Sequence, residues 1–164
     1  MEDNRGSFDE CGVLLESGRL IARSENTALV LRALTAYSGG LVAELQIHWR
    51  GTVPMSEVQG VLYDEAPDGL RLSFGYGDSP EPDFKIPVRG SWENSEPRWL
   101  AGGSGGGGGE NGARYDAAFT LTPYPTANKV MIAWSWPKRK MVGQLPIELP
   151  SVSEVTKNSL KLWE

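Results

Sequence analysis

Three groups of residues have the types and spacing to do chemistry. The first is a set of acidic turns, Asp64-Glu65-x-x-Asp68 and Asp78-x-x-Glu81-x-Asp83. Hard carboxylate oxygens at such spacings can hold calcium between the loops of a β-sandwich, and a pair of them can hydrolyse a glycosidic bond. Neither stretch has EF-hand spacing, and acidic turns on a soluble domain mostly just hydrate. The second is His48, the only histidine. One histidine leaves room for a single acid–base site and none for a multi-histidine metal site. The one Gly-x-Ser-x-Gly match, centred on Gly103-Ser104-Gly105, lies in a glycine run without that motif's strand-to-helix setting, so no nucleophile is indicated beside it. The third is the aromatic set Trp92, Trp99, Trp136 and Tyr124, which falls near loops and could form a platform for a sugar or an anchor for a protein partner.

A fourth candidate is conspicuous. The run Ala101-Gly-Gly-Ser-Gly-Gly-Gly-Gly-Gly-Glu-Asn-Gly112 has the look of a phosphate cradle. A P-loop ends in Gly-Lys-Ser/Thr to neutralise charge and bind magnesium, whereas here Glu110-Asn111-Gly112 closes the run. Glycine also loses more backbone freedom on ordering than any other residue. The sequence therefore predicts a flexible, glycine-rich loop over 101–112 joining two strand-rich halves.

The elements that must position these groups are read from hydrophobic period. In Leu41 to Arg50, apolar Leu41, Ala43, Leu45, Ile47 and Trp49 alternate with Val42, Glu44, Gln46, His48 and Arg50, the pattern of a half-buried strand. His48 then lies on the polar, solvent-facing side. Thr27 to Tyr37, whose three leucines and three alanines also suit a helix, is read as its strand partner because the Ser38-Gly39-Gly40 hairpin joins the two. Short strands are expected over Gly12 to Gly18 and Arg19 to Arg23, separated by a turn, with others over Val58 to Tyr63 and Leu70 to Tyr76. Tyr115 to Thr122 and Lys129 to Trp136 follow. The latter is apolar on both faces, which suits a central strand. Gln144 to Pro150 is confined by its prolines to an edge. Ser151-x-x-Glu154 is a capping box, which predicts one C-terminal helix over Ser153 to Trp163. Trp49 and Trp134 belong to the core on this pattern, and Trp163 packs the end of the helix.

Composition bounds the rest. The chain has 164 residues, a formal charge of −5, 20 glycines and 11 prolines, so many turns separate many short strands. From Glu57 to Glu96, nine acidic residues face three basic ones, a local charge of −6. No basic cluster exceeds Lys138-Arg139-Lys140, which argues against a nucleic-acid surface. Cys11 is the only cysteine, so no internal disulfide forms. No apolar run is long enough for a membrane span and Met1 to Ser7 has neither the basic nor the apolar region of a signal peptide, so a cytoplasmic, non-membrane protein is expected. Residues 1–10 are expected to be a flexible N-terminus, and 11–164 a single mainly β domain: an antiparallel β-sandwich or flattened barrel with one C-terminal α-helix.

The C-terminal third carries a resemblance. Phe119, Pro123-x-Pro125, Trp134-x-Trp136-Pro137, Leu145-Pro-Ile147 and Leu162-Trp163, with the glycine run upstream, resemble a family of uncharacterised actinobacterial β-rich proteins. That family combines a glycine-rich loop, a Trp-Pro strand end and a C-terminal Leu-Trp helix. Tyr124 to Lys129 departs from it, since the family is richer in proline there. The resemblance implies a shared fold and no reaction. The function expected is a non-enzymatic binding or assembly module without a cofactor, with a protein partner or a homo-oligomer as its setting. The alternatives are a hydrolase using loop carboxylates or His48, and a calcium-binding sandwich.

Overall fold

The structure is a computed structural model that describes residues 9–76 and 98–163. In chain order run β1 (Glu10–Cys11), β2 (Val13–Arg23), β3 (Thr27–Tyr37), β4 (Gly40–Arg50), α1 (Met55–Gly60), β5 (Arg71–Tyr76) and β6 (Arg98–Gly109). They continue with β7 (Gly112–Thr122), β8 (Lys129–Trp136), a 3-10 turn (Pro137–Arg139), β9 (Met141–Glu148), α2 (Val152–Asn158) and β10 (Leu160–Lys161). One antiparallel sheet has the order β2-β3-β4-β7-β6, a second has β5-β8-β9, and β1 pairs with β10. The fold is a mainly β sandwich, as the alternating strands imply.

The strongest alternation makes the centre of the large sheet. Leu41, Ala43, Leu45, Ile47 and Trp49 of β4 are all buried, and so are Tyr115, Ala117, Phe119 and Leu121, which stand opposite or beside them on β7. Burying one such large apolar side chain is worth about 1.5–3 kcal/mol, so slipping the register by one residue would forfeit the whole inner face. The smaller sheet closes the core from the other side. Phe74 of β5 lies with its ring centroid 4.9 Å from that of Phe119, and Trp136 of β8 meets Trp49 edge-on at 6.3 Å. β8 is central in its sheet, and the proline-bearing β9 is at the edge.

The glycine run departs most from expectation: it is a strand. β6 pairs along its length with β7, from Arg98↔Thr122 to Gly109↔Gly112, with one irregularity between Gly102 and Ser104. Glycine costs roughly 0.5–1 kcal/mol per strand residue in lost freedom, but a complete ladder to an adjacent, well-packed strand outweighs it. Packing also demands some of these glycines. A Cβ at Gly106 would stand 2.7 Å from Val58 Cγ1 and 2.8 Å from Arg114 O, and one at Gly108 would stand 2.7 Å from Ala113 Cβ. At Gly107 and Gly109 it would meet nothing within 4 Å. The loop reduces to Glu110 and Asn111.

Four further expectations are corrected. Val13 to Arg23 forms one strand rather than two, with Gly18 at a positive φ of 65° within it. Val58 to Tyr63 begins inside a helix, α1, whose entry is set by Pro54 and whose first turn carries Glu57. α2 is capped as predicted, with Ser151 Oγ accepting from Glu154 N and Glu154 Oε2 from Ser151 N. It ends at Asn158, however, and Leu160-Lys161 leaves it as a strand that pairs with β1, so Trp163 is 74% exposed rather than packed on a helix. Glu10, assigned by sequence to the flexible start, is buried in β1. Among the described residues no helix is long and apolar enough to cross a membrane.

Candidate functional site

Between α1 and the 3-10 turn lies a cleft of about 460 Å³. Pro54 starts α1 and directs its first turn across the end of the sandwich, so that Val58 drops into the core while Ser56 and Glu57 face the cleft. On the opposite side β8 ends at Pro137, and the 3-10 turn brings Lys138 and Arg139 round to meet Glu57. Arg139 Nη2 donates to Glu57 Oε1, while Lys138 Nζ lies 3.6 Å from the same oxygen. The Arg139 guanidinium also stands 5.8 Å from the centroid of the Trp136 ring, within cation–π range. Val61, Leu70 and Trp136 give the cleft an apolar wall, and Tyr63 and Asp64 complete its rim.

This end is tied together through the backbone as well. Lys138 N donates to Asp68 O at 3.0 Å, while Arg71 donates from Nη1 to Asp64 O and from Nη2 to Ala66 O. The acidic loop is thereby wired to β5 and to the 3-10 turn. Three buried groups lack a hydrogen-bond partner among the described residues: Trp49 Nε1, Trp134 Nε1 and Arg139 Nε.

The candidates named from sequence separate. Of the possible metal ligands, Asp64 lines the cleft and its Oδ1 accepts from Ala66 N, whereas Glu65 and Asp68 are exposed. Asp78, Glu81 and Asp83 lie outside the described residues. Among the described residues no three His, Cys, Asp or Glu side chains converge as metal ligands would. Of the aromatic surface, Trp136 is only 3% exposed and forms the floor of the cleft rather than a platform. Tyr124 is 8% exposed and sits at the other end of the sandwich, its hydroxyl donating to Pro150 O at 2.6 Å. Burial, and then the Glu154 charge, push its phenol pKa up. Trp99 is placed by its backbone alone, in β6 opposite Leu121, and Trp92 lies outside the described residues. The exposed aromatic surface expected from Trp136 and Tyr124 is therefore not assembled, because a strand end beside a core draws tryptophan inward.

His48 belongs to a different place, the outer face of the large sheet. It is half-buried, with Nε2 3.2 Å from Gln46 Oε1; Gln46 Nε2 donates to Asp116 Oδ1 at 2.6 Å, and Arg114 Nε to Asp116 Oδ2 at 2.9 Å. This row runs across β4 and β7 in register, His48 opposite Arg114 and Gln46 opposite Asp116.

Sequence reasoning missed Glu57, Lys138 and Arg139 as site residues. The signal for the first was local: Pro54 followed three residues later by an acidic side chain is a helix start. Nothing local announces that Arg139 will reach Glu57, since 82 residues separate them. Comparison with known proteins adds no further constraint: no family model, no curated protein and no solved structure matches the chain.

Proposed function

We propose that this protein is a non-enzymatic binding module whose ligand enters the cleft between α1 and the 3-10 turn. The observation that supports this reading is the make-up of that cleft. An apolar wall of Pro54, Val61, Leu70 and Trp136 faces hydrogen-bonding groups from Ser56, Glu57, Tyr63, Asp64 and Lys138. Apolar walls with a few convergent polar groups are what small-molecule sites use for affinity and orientation respectively. Two carboxylates, Glu57 and Asp64, are matched by two cations, Lys138 and Arg139. A charge-balanced rim rich in donors and acceptors favours a neutral, hydroxyl-bearing ligand such as a saccharide over an ion. The resemblance to actinobacterial β-rich proteins is compatible with this reading and adds no ligand.

The test is a titration of isotope-labelled protein with a panel of neutral mono- and oligosaccharides. Saturable amide shifts at Ser56, Tyr63, Asp64 and Lys138, lost in Lys138→Ala, are the expected outcome. Shifts confined to other surfaces, or none with any sugar, would reject the cleft. The hydrolase alternative draws on Glu57 and Asp64 facing one cleft. Release of chromophore from an aryl glycoside, abolished by Asp64→Asn, would establish it in place of simple binding.

A further inference from the structure

Gly107 poses a question that the fold does not answer. A Cβ at Gly106 or Gly108 would crowd its neighbours, yet a side chain at 107 would meet nothing within 4 Å. Gly107 stands directly across from Arg114, on the outer face of the sheet. A side chain there would ordinarily flank that of Arg114, because facing residues of an antiparallel pair are cross-strand neighbours. Its absence leaves one side of Arg114 open, with a bare backbone floor.

Arg114 is also held in place. It is 59% exposed at the side chain, and its Nε is committed to Asp116 Oδ2. Asp116 in turn is fixed from behind by Gln46, and the Gln46 amide is fixed by His48. Since Gln46 Nε2 donates to Asp116, its Oε1 is the acceptor, which assigns the donated proton to His48 Nε2. The chain of bonds orients the guanidinium plane and leaves both terminal amino groups of Arg114 with no protein partner among the described residues. Two shallow depressions meet at this point. One of about 440 Å³ is lined by Gly106, Gly107, Arg114 and Asp116; the other, of about 500 Å³, shares Gly107 and Arg114 and runs towards Glu110. Arg50 adds a second exposed cation on β4, opposite Gly112.

From this arrangement we infer that Arg114, over the Gly107 floor, is a binding site for the oxyanion of a small molecule, a carboxylate or phosphate. The two terminal amino groups of an oriented guanidinium match two oxygens of such a group, which a flexible ammonium does not. Asp116, Gln46 and His48 are positioning residues: they set the angle of the fork and do not touch the ligand. The site is on the sheet face and independent of the cleft beneath α1. Asp116 and Glu110 limit it to small ligands, since an extended polyanion lying along the face would meet both carboxylates.

The experiment is a titration with inorganic phosphate and, separately, with acetate, read by the Arg114 Nε–Hε signal and the Gly107 and Gly109 amides. Expected is a saturable shift of all three, weakened about tenfold or more in Arg114→Lys, which keeps the charge and loses the fork. Gly107→Val fills the floor where nothing opposes a side chain; it should weaken binding by a similar factor while leaving the thermal midpoint unchanged or raised. His48→Ala should weaken binding by a smaller factor and broaden the Arg114 Nε–Hε signal, an effect that loss of packing alone would not confine to that group. Unaltered affinity in Arg114→Lys, or in a folded Gly107→Val, overturns the inference. So does a shift that fails to saturate, the behaviour of ionic strength alone.

Discussion

Glu10 and Glu57 anchor opposite ends of the large sheet, and each gathers partners from distant parts of the chain. Glu10, whose side chain is completely buried, accepts from Ser38 N and Ser38 Oγ at the β3–β4 turn and from Ser159 Oγ and Lys161 Nζ near the C-terminus. Burial alone would raise its pKa, but the two Ser38 donors, Lys161 and Ser159 together outweigh it and lower the carboxyl from its ordinary 4.5 to about 2. Glu57 keeps 24% of its side chain exposed and faces two cations across an open cleft. The difference is one of saturation. Four donors around Glu10 leave no lone pair for a ligand, so it works as a clasp joining β1, the hairpin and β10. The Glu57 end holds its partners in place and still opens to solvent.

The comparison is broken most directly at Glu10. Glu10→Ala strands buried hydroxyl and amide donors and should lower unfolding free energy by about 2–4 kcal/mol, measured by chemical denaturation. The same clasp is pH-dependent. Because its folded pKa is depressed, its contribution is fully present above about pH 4.5 and is lost as pH falls towards about 2. Glu10→Gln should remove that part of the acid-stability curve. An acid limb identical to wild type would show that another carboxylate carries it.

The next effect sharpens the other end. Gly106→Val drives a side chain into Val58 and so pushes α1, with Glu57, off the sheet; about 1–3 kcal/mol should be lost. Glu57→Gln should cost less, about 1–2 kcal/mol, since Arg139 retains Trp136 beneath it and solvent reaches the pair. Its test is a double-mutant cycle with Arg139→Met, in which a coupling energy near zero would mean the pair is only a surface contact. The smallest effect belongs to Lys161→Ala. Half of that side chain is in water, so the change should stay within about 1 kcal/mol, and a loss as large as that of Glu10→Ala would make the ion pair, rather than the hydroxyl and amide donors, the heart of the clasp.

Much of the frame was legible in the residues. Period-2 alternation placed β4, β7 and β8, the glycine hairpin beside β4 placed β3, the prolines placed β9 at an edge, and Ser151 with Glu154 placed the start of α2, because each of these signals is local. The glycine run is illegible in the sequence for the opposite reason. Its strand state is imposed by β7 alongside and by Val58 above, neither of which composition can report. Asp64 and Trp136 were picked out singly, but their meeting at one cleft depends on α1, which a strand reading of Val58 to Tyr63 had erased.

By itself, then, the sequence determined which faces of which strands are apolar, and hence a mainly antiparallel β core, sandwich or flattened barrel. Tertiary structure decided what the polar residues do. Glu10 became a clasp because β10 returns to β1 from 150 residues away, and Glu57 became the rim of a cleft because the 3-10 turn delivers Arg139 to it. Pairings of that reach are set by the packing of the whole core, which no local pattern encodes.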